Sequence, residues 1–186
     1  MSQQTWNESL IAAIGDSVAL TASVTPTSII PSAAIYTLPA NFFYVGRKIR
    51  IVAQGRVSNI VTTPGTLTLD VRFGAVVVAN GGAMALNIVA KTNLPWWLCM
   101  DLTCRTVGSG TAATLMPQGF WKSESVIGSP LPAVGGVGEL LIPSTAPAVG
   151  TGFDSTAAQA VNLFGTWSLS NANSIQTHQY KLISIN

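Results

Sequence analysis

The sequence predicts an all-β protein, a jelly-roll-like antiparallel β-sandwich with an N-terminal arm or short helix. Three observations predict it. Apolar and polar residues alternate with period two through several segments, as in strands that lay one face on a core. Turn chemistry built from Gly, Pro and Asn separates those segments. Finally, 48% of the 186 residues are hydrophobic and only 9% are charged, against about 25% charged in an ordinary soluble domain. No apolar run approaches the roughly 20 residues of a spanning helix. Stretches such as Ala75-Val76-Val77-Val78-Ala79 are typical. The apolar surplus must therefore be buried in protein, partly in the chain's own core and partly against other chains.

The elements follow in order. Trp6, Leu10, Ile11 and Ile14 have roughly helical spacing, which predicts a short helix over 5–14 ending at Gly15. Residues 15–32, rich in Ser, Thr and Ala with Pro26 and Pro31, read as extended, so 1–32 is expected to form an arm. Residues 33–186 are expected to form one β-sandwich domain. In it, Ile49, Ile51, Ala53 and Val57 alternate with Lys48, Arg50, Gln54 and Arg56, and Gly55 marks a bulge. Thr63-Pro64-Gly65 turns the chain. Leu67, Leu69, Val71 and Phe73 then share one face, leaving Asp70 on the other, where it could pair with a basic residue across a hairpin. Asn80-Gly81-Gly82 predicts a turn before a short strand, Ala83 to Ile88. A strand from Trp96 to Thr106 sends Trp96 and Trp97 to opposite faces. After Gly108-Ser109-Gly110, another runs over 111–125, interrupted by Pro117. Residues 128–152 form a Pro/Gly-rich crossing in which only 138–142 is strand-like. Two strands close the chain, one carrying Val161, Leu163, Trp167 and Leu169, the other over 174–185. About eight strands in two packed sheets describe a jelly roll.

The residues offer little chemistry. The N-terminal octet has no cationic run and reads as no secretory signal. Cys99 and Cys104 lie in one strand, about 17 Å apart when extended, too far for a disulfide; both read as free thiols, with a buried structural role expected. No metal set, phosphate loop, dinucleotide fingerprint or nucleophile elbow occurs. Seven carboxylates are scattered, and His178 is the one histidine. Hence no catalytic, cofactor-binding or metal residue is expected. Asp70 and Asp101 read as solvated charges on a sheet, and an acid-dependent hydrolase is only a remote option. A net charge of +2 and one loose basic group, Arg47, Lys48, Arg50 and Arg56, do not make a nucleic-acid surface. The candidate contact residues, for subunits or a partner, are Trp6, Leu10, Ile11, Trp97 and Trp121.

Gly46-Arg47-Lys48-Ile49-Arg50, Gly65 through Arg72, Phe153-Asp154-Ser155-Thr156-Ala157-Ala158 and Ser174 through Tyr180 resemble segments of small structural proteins of tailed bacteriophages, over most of the chain. The resemblance implies a jelly-roll-like virion protein without catalytic residues, foremost a capsid decoration (cement) protein. Such a protein would sit on the outer surface of the capsid. It would form a homo-oligomer, a trimer ahead of a dimer, and bind the major capsid protein, with no nucleic acid or membrane partner. The alternative is a carbohydrate-binding β-sandwich of a phage tail or receptor-binding component, motivated by tryptophans on a jelly-roll scaffold.

Overall fold

A computed structural model describes residues 6–128 and 139–185. The middle of the expected Pro/Gly crossing lies outside the described residues, as do the first five residues of the expected arm. The described residues form thirteen strands: β1 (Asn7–Ala12), β2 (Leu20–Thr21), β3 (Thr27–Ser28), β4 (Tyr36–Leu38), β5 (Lys48–Asn59), β6 (Thr66–Phe73), β7 (Val76–Leu86), β8 (Lys91–Thr106), β9 (Thr114–Lys122), β10 (Val126–Gly128), β11 (Glu139–Ile142), β12 (Gln159–Trp167) and β13 (Ser174–Ile185). A 3-10 turn, Ser32–Ala34, precedes β4.

Two antiparallel sheets form the sandwich. The first has the order β1-β13-β5-β8-β9-β11, with β2 also on β13; the second has the order β10-β7-β6-β12-β3, with β4 also on β12. The first strand lies beside the last, and successive strands cross from sheet to sheet with hairpins at β6–β7 and β8–β9. That is jelly-roll order, β1-β13-β5-β8 facing β4-β12-β6-β7, with β9 and β11 widening the first sheet. Alternation decides which residues enter the core. Ile49, Ile51, Ala53 and Val57 of β5 are buried, as are Leu67, Leu69, Val71 and Phe73 of β6 and Trp96, Leu98, Met100, Leu102 and Cys104 of β8. Each large aliphatic side chain buried in this way contributes about 1.5–3 kcal/mol. Phe43, Phe73 and Phe153 pack edge-on or tilted with centroids 4.9–5.8 Å apart. Trp96 and Trp121 form a further aromatic contact at 6.2 Å.

The structure corrects several expectations. Residues Asn7–Ala12 are a strand on β13, not part of a helix over 5–14. An isolated helix of ten residues is marginal in water, whereas the edge of β13 offers a row of backbone partners. The residues that follow do not form a separate arm, because Leu20, Ile29 and Ile30 are buried in the core; 20–28 carry the chain from β13 in one sheet to β12 in the other. Asn80-Gly81-Gly82 makes no turn. β7 runs straight through it with a bulge, Asp70 facing Asn80 and Thr68 facing Ala83. Gly82 adopts φ +74° there, and its N–H bonds Asn80 Oδ1 at 2.8 Å. The hairpin turns instead at Gly74-Ala75, between Phe73 and its partner Val76. Pro117 does not interrupt β9, because β11 meets β9 only at Gly119–Lys122 and Pro is tolerated where a strand is paired on one side.

Candidate functional site

The outer face of the first sheet carries a groove of about 590 Å³. Its shape begins with backbone. β13 has one extra residue between Thr177, opposite Gly55, and Gln179, opposite Gln54. The extra residue is His178, so the bulge lies on β13 and Gly55 is the residue facing it. A Cβ on Gly55 would overlap the Gln176 carbonyl oxygen and lie 2.9 Å from Thr177 Cα; only glycine permits this approach. Trp96, pointing inward, pins the same spot: its Nε1–H is shared between the carbonyls of Arg56 at 3.2 Å and Gln176 at 3.1 Å.

Trp97 then points outward, as period-two alternation requires, and keeps 41% of its surface exposed. Directly opposite residues extend a row across the sheet from it: Gln179, Gln54, Trp97, Lys122 and Glu139, on β13, β5, β8, β9 and β11. Arg56 faces Pro95, two positions along β8 from Trp97, which makes Arg56 a diagonal neighbour of the indole on the same face. Phe120 meets Trp97 edge-on, centroids 5.5 Å apart. The groove is thus an indole flanked by two amides and two cations, with His178 at its wall.

Most charged groups around the groove are already engaged. Lys122 Nζ lies 3.0 Å from Glu139, Lys91 Nζ lies 3.5 Å from Glu124, and His178 Nδ1 lies 2.9 Å from Asp16. The Asp16 contact belongs to a clamp that fixes the N-terminal segment to the bulge. Ser17 N–H donates to Thr177 O, Thr177 N–H to Ser17 Oγ, and Gln176 Nε2 to Ser17 O. Arg56 is exposed and has no ion-pair partner among the described residues.

The expected contact residues separate on folding. Trp97 lines the groove. Trp6 is 60% exposed, away from it in sequence and strand. Leu10 and Ile11 are half-buried against the core. Trp121 is corrected outright: it shares the inward parity of Leu115 on β9 and is buried in the core, so it offers no outer contact surface. The basic group is also dispersed. The Arg47 guanidinium stacks 3.7 Å over Phe42 and bonds its carbonyl, and Arg50 makes a two-point contact with Asp101 at 2.5 and 2.8 Å. The Asp101 carboxylate raises Arg50 above its ordinary value. Asp70 is not a solvated charge and does not pair across the hairpin. It is buried and holds Arg72, two residues along its own strand, at 2.8 and 2.9 Å; β6 forms no hairpin with the basic strand β5, which lies in the other sheet, and the residues opposite Asp70 are Asn80 on β7 and Phe164 on β12. Cys104 is buried and Cys99 half-buried on the outer face; burial pushes both thiols up, with Arg50 partly pulling Cys99 back. Among the described residues no three of His, Cys, Asp and Glu gather as a metal set.

The run Phe153-Asp154-Ser155-Thr156 is absorbed by the fold. Ser155 exchanges hydrogen bonds with Gly108, and Asp154 accepts from the Thr156 hydroxyl and N–H, which holds its carboxyl below its ordinary value together with the Gly110 N–H. Of the groove residues, Gln54, Gln179 and Lys122 carried no local signal. Gly55 did, as a glycine inside an alternating strand.

No protein-family model and no curated protein matches this chain. Among solved structures, the CBM2 module of the Lactobacillus casei BL23 phage J-1 evolved Dit is similar, with a TM-score of 0.36 and 11% identity, over 99% of this chain and 98% of that chain.

Proposed function

We propose that the protein is a non-enzymatic, carbohydrate-binding jelly roll of a phage particle, and that Trp97 forms its sugar platform. The observation that carries this reading is an exposed indole set in a concave surface among polar side chains. An indole face is apolar and matches the C–H face of a pyranose, while Gln54 and Gln179 can each donate and accept toward vicinal hydroxyls. The sequence resemblance to tailed-phage structural proteins supports placement in a virion. A glycan array probed with the full chain, followed by calorimetric titration of the best ligand, tests it. Trp97→Ala is expected to weaken binding at least about tenfold with the fold intact, because Trp97 lies outside the core. Full affinity in that variant, or no binding to any host-surface glycan, would sink the proposal.

Capsid decoration is a second reading, favoured by large apolar side chains left outside the core: Ile14 at 97%, Val18 at 88% and Leu141 at 77% exposure. Burial of these residues against neighbours would add binding free energy to shell stability, and a closed trimer would present several copies of one contact to the major capsid protein. It predicts an oligomer that co-purifies with particles. A monomer by light scattering at micromolar concentration, together with absence from purified virions, would remove it.

A further inference from the structure

We propose that the groove selects acidic saccharides, with the Arg56 guanidinium taking the carboxylate of a sugar acid while Trp97 carries the ring. This rests on the carbohydrate reading above and adds to it a ligand class. The inference comes from how charge is distributed around the groove. Lys122 is neutralised by Glu139 and Glu124 by Lys91, which leaves Arg56 as the lining cation without a carboxylate. Its position is suitable. Diagonal neighbours on one sheet face stand about 7–8 Å apart, so a pyranose stacked on the Trp97 indole can extend a ring substituent to the guanidinium. The fork of Arg matches a carboxylate through two parallel hydrogen bonds.

The surrounding field has the same sign. Lys48 and Lys181 also point outward on β5 and β13 of this sheet, and neither has an ion-pair partner among the described residues. Arg50 and Asp101 on the same face cancel each other. An approaching anion therefore meets a net positive face, which raises its encounter rate and makes its affinity salt-dependent.

The test is an array displaying neutral glycans beside sialylated and uronate-containing ones, probed with the wild-type chain, Arg56→Gln and Trp97→Ala. The expected result is that wild type binds acidic glycans, that Arg56→Gln loses about tenfold or more on them, and that raising salt from 50 to about 500 mM weakens wild-type binding alone. Arg56 is exposed, so the variant is expected to keep the wild-type melting temperature. A bound set that is neutral but lost in Trp97→Ala would overturn this inference and leave the groove reading standing. Acidic preference that survives Arg56→Gln would overturn it as well. Binding untouched by either substitution would overturn both readings.

Discussion

Gly55→Ala should damage the fold and the groove together. The added methyl would overlap the Gln176 carbonyl oxygen and stand 2.9 Å from both the Gln176 carbonyl carbon and Thr177 Cα. Ordinary carbon contacts are about 3.5–4.0 Å, so β5 and β13 would have to separate by about 1 Å at the bulge. All three obstructing atoms are backbone, and no rotamer change relieves them. Overpacking of this kind costs about 1–3 kcal/mol. The shared Trp96 Nε1–H bond and the Ser17–Thr177 clamp sit at the same point, and losing one adds about 0.5–1.5 kcal/mol. Against this, alanine's smaller unfolded-state entropy returns about 0.4–1 kcal/mol. The net expectation is a loss of about 0.5–4 kcal/mol. Urea unfolding should show a lowered midpoint at unchanged slope, and the melting temperature should fall by about 2–4 °C per kcal/mol. Gly15→Ala is the control, because a Cβ there meets nothing within 4 Å, and it should stay within about 0.5 kcal/mol. A Gly55→Ala protein as stable as wild type would refute the account of the bulge.

Two tryptophans should behave oppositely. Trp121→Ala should cost about 3–5 kcal/mol in urea unfolding, since Trp121 is buried, whereas Trp97→Ala should cost under about 1 kcal/mol; the reverse order would mean that the faces of β8 and β9 are misassigned. The thiols should also differ. A bulky disulfide reagent at pH 8 should modify Cys99 slowly and Cys104 only on unfolding, because burial raises both thiols and closes off Cys104; rapid modification of two thiols in the native protein would contradict this. Asp154 should titrate below a free aspartate by NMR. Because its folded value is depressed, its contribution is present above the unfolded value near 3.8 and disappears as pH falls through the folded one. Asp154→Asn should therefore flatten that part of the acid unfolding profile, and an unchanged profile would rule out the Thr156 and Gly110 hydrogen bonds as its cause.

Alternation made most of the sandwich readable from sequence, because a strand's inward parity is a local property. It sent Trp96 and Trp97 to opposite faces, and the structure puts Trp96 inside and Trp97 outside. Three features depended on pairing instead. Asn7–Ala12 has helix-like apolar spacing, but the open edge of β13 selects its conformation. Asn80-Gly81-Gly82 has hairpin chemistry, and the same glycines serve a bulge when the flanking strand is long enough to continue. The groove itself was not legible, because Gln179, Gln54, Trp97 and Lys122 come from four strands and meet only through the register of the sheet. Gly55 was the one local trace, and its meaning depended on a residue 123 positions later, since 178 minus 55 is 123.

Charge scarcity sharpens the assignment of Arg56. The chain has seven carboxylates and nine basic residues. Four of those carboxylates, Asp70, Asp101, Glu124 and Glu139, are held in ion pairs, and Asp16 lies 2.9 Å from His178 Nδ1. The cations left without an acid among the described residues are Arg47, Lys48, Arg56, Arg105 and Lys181, and Arg47 spends its guanidinium on Phe42 and Ser184. In a charge-rich protein an unpaired arginine at a groove would be unremarked, since many exposed cations compete for the same anions. Among the described residues the unengaged positive charge is confined to four side chains, Lys48, Arg56, Arg105 and Lys181, and Arg56 alone of these lines the concave surface that holds an exposed indole. The same scarcity of charge that leaves the chain rich in apolar residues therefore restricts where an anion can be held against an aromatic ring.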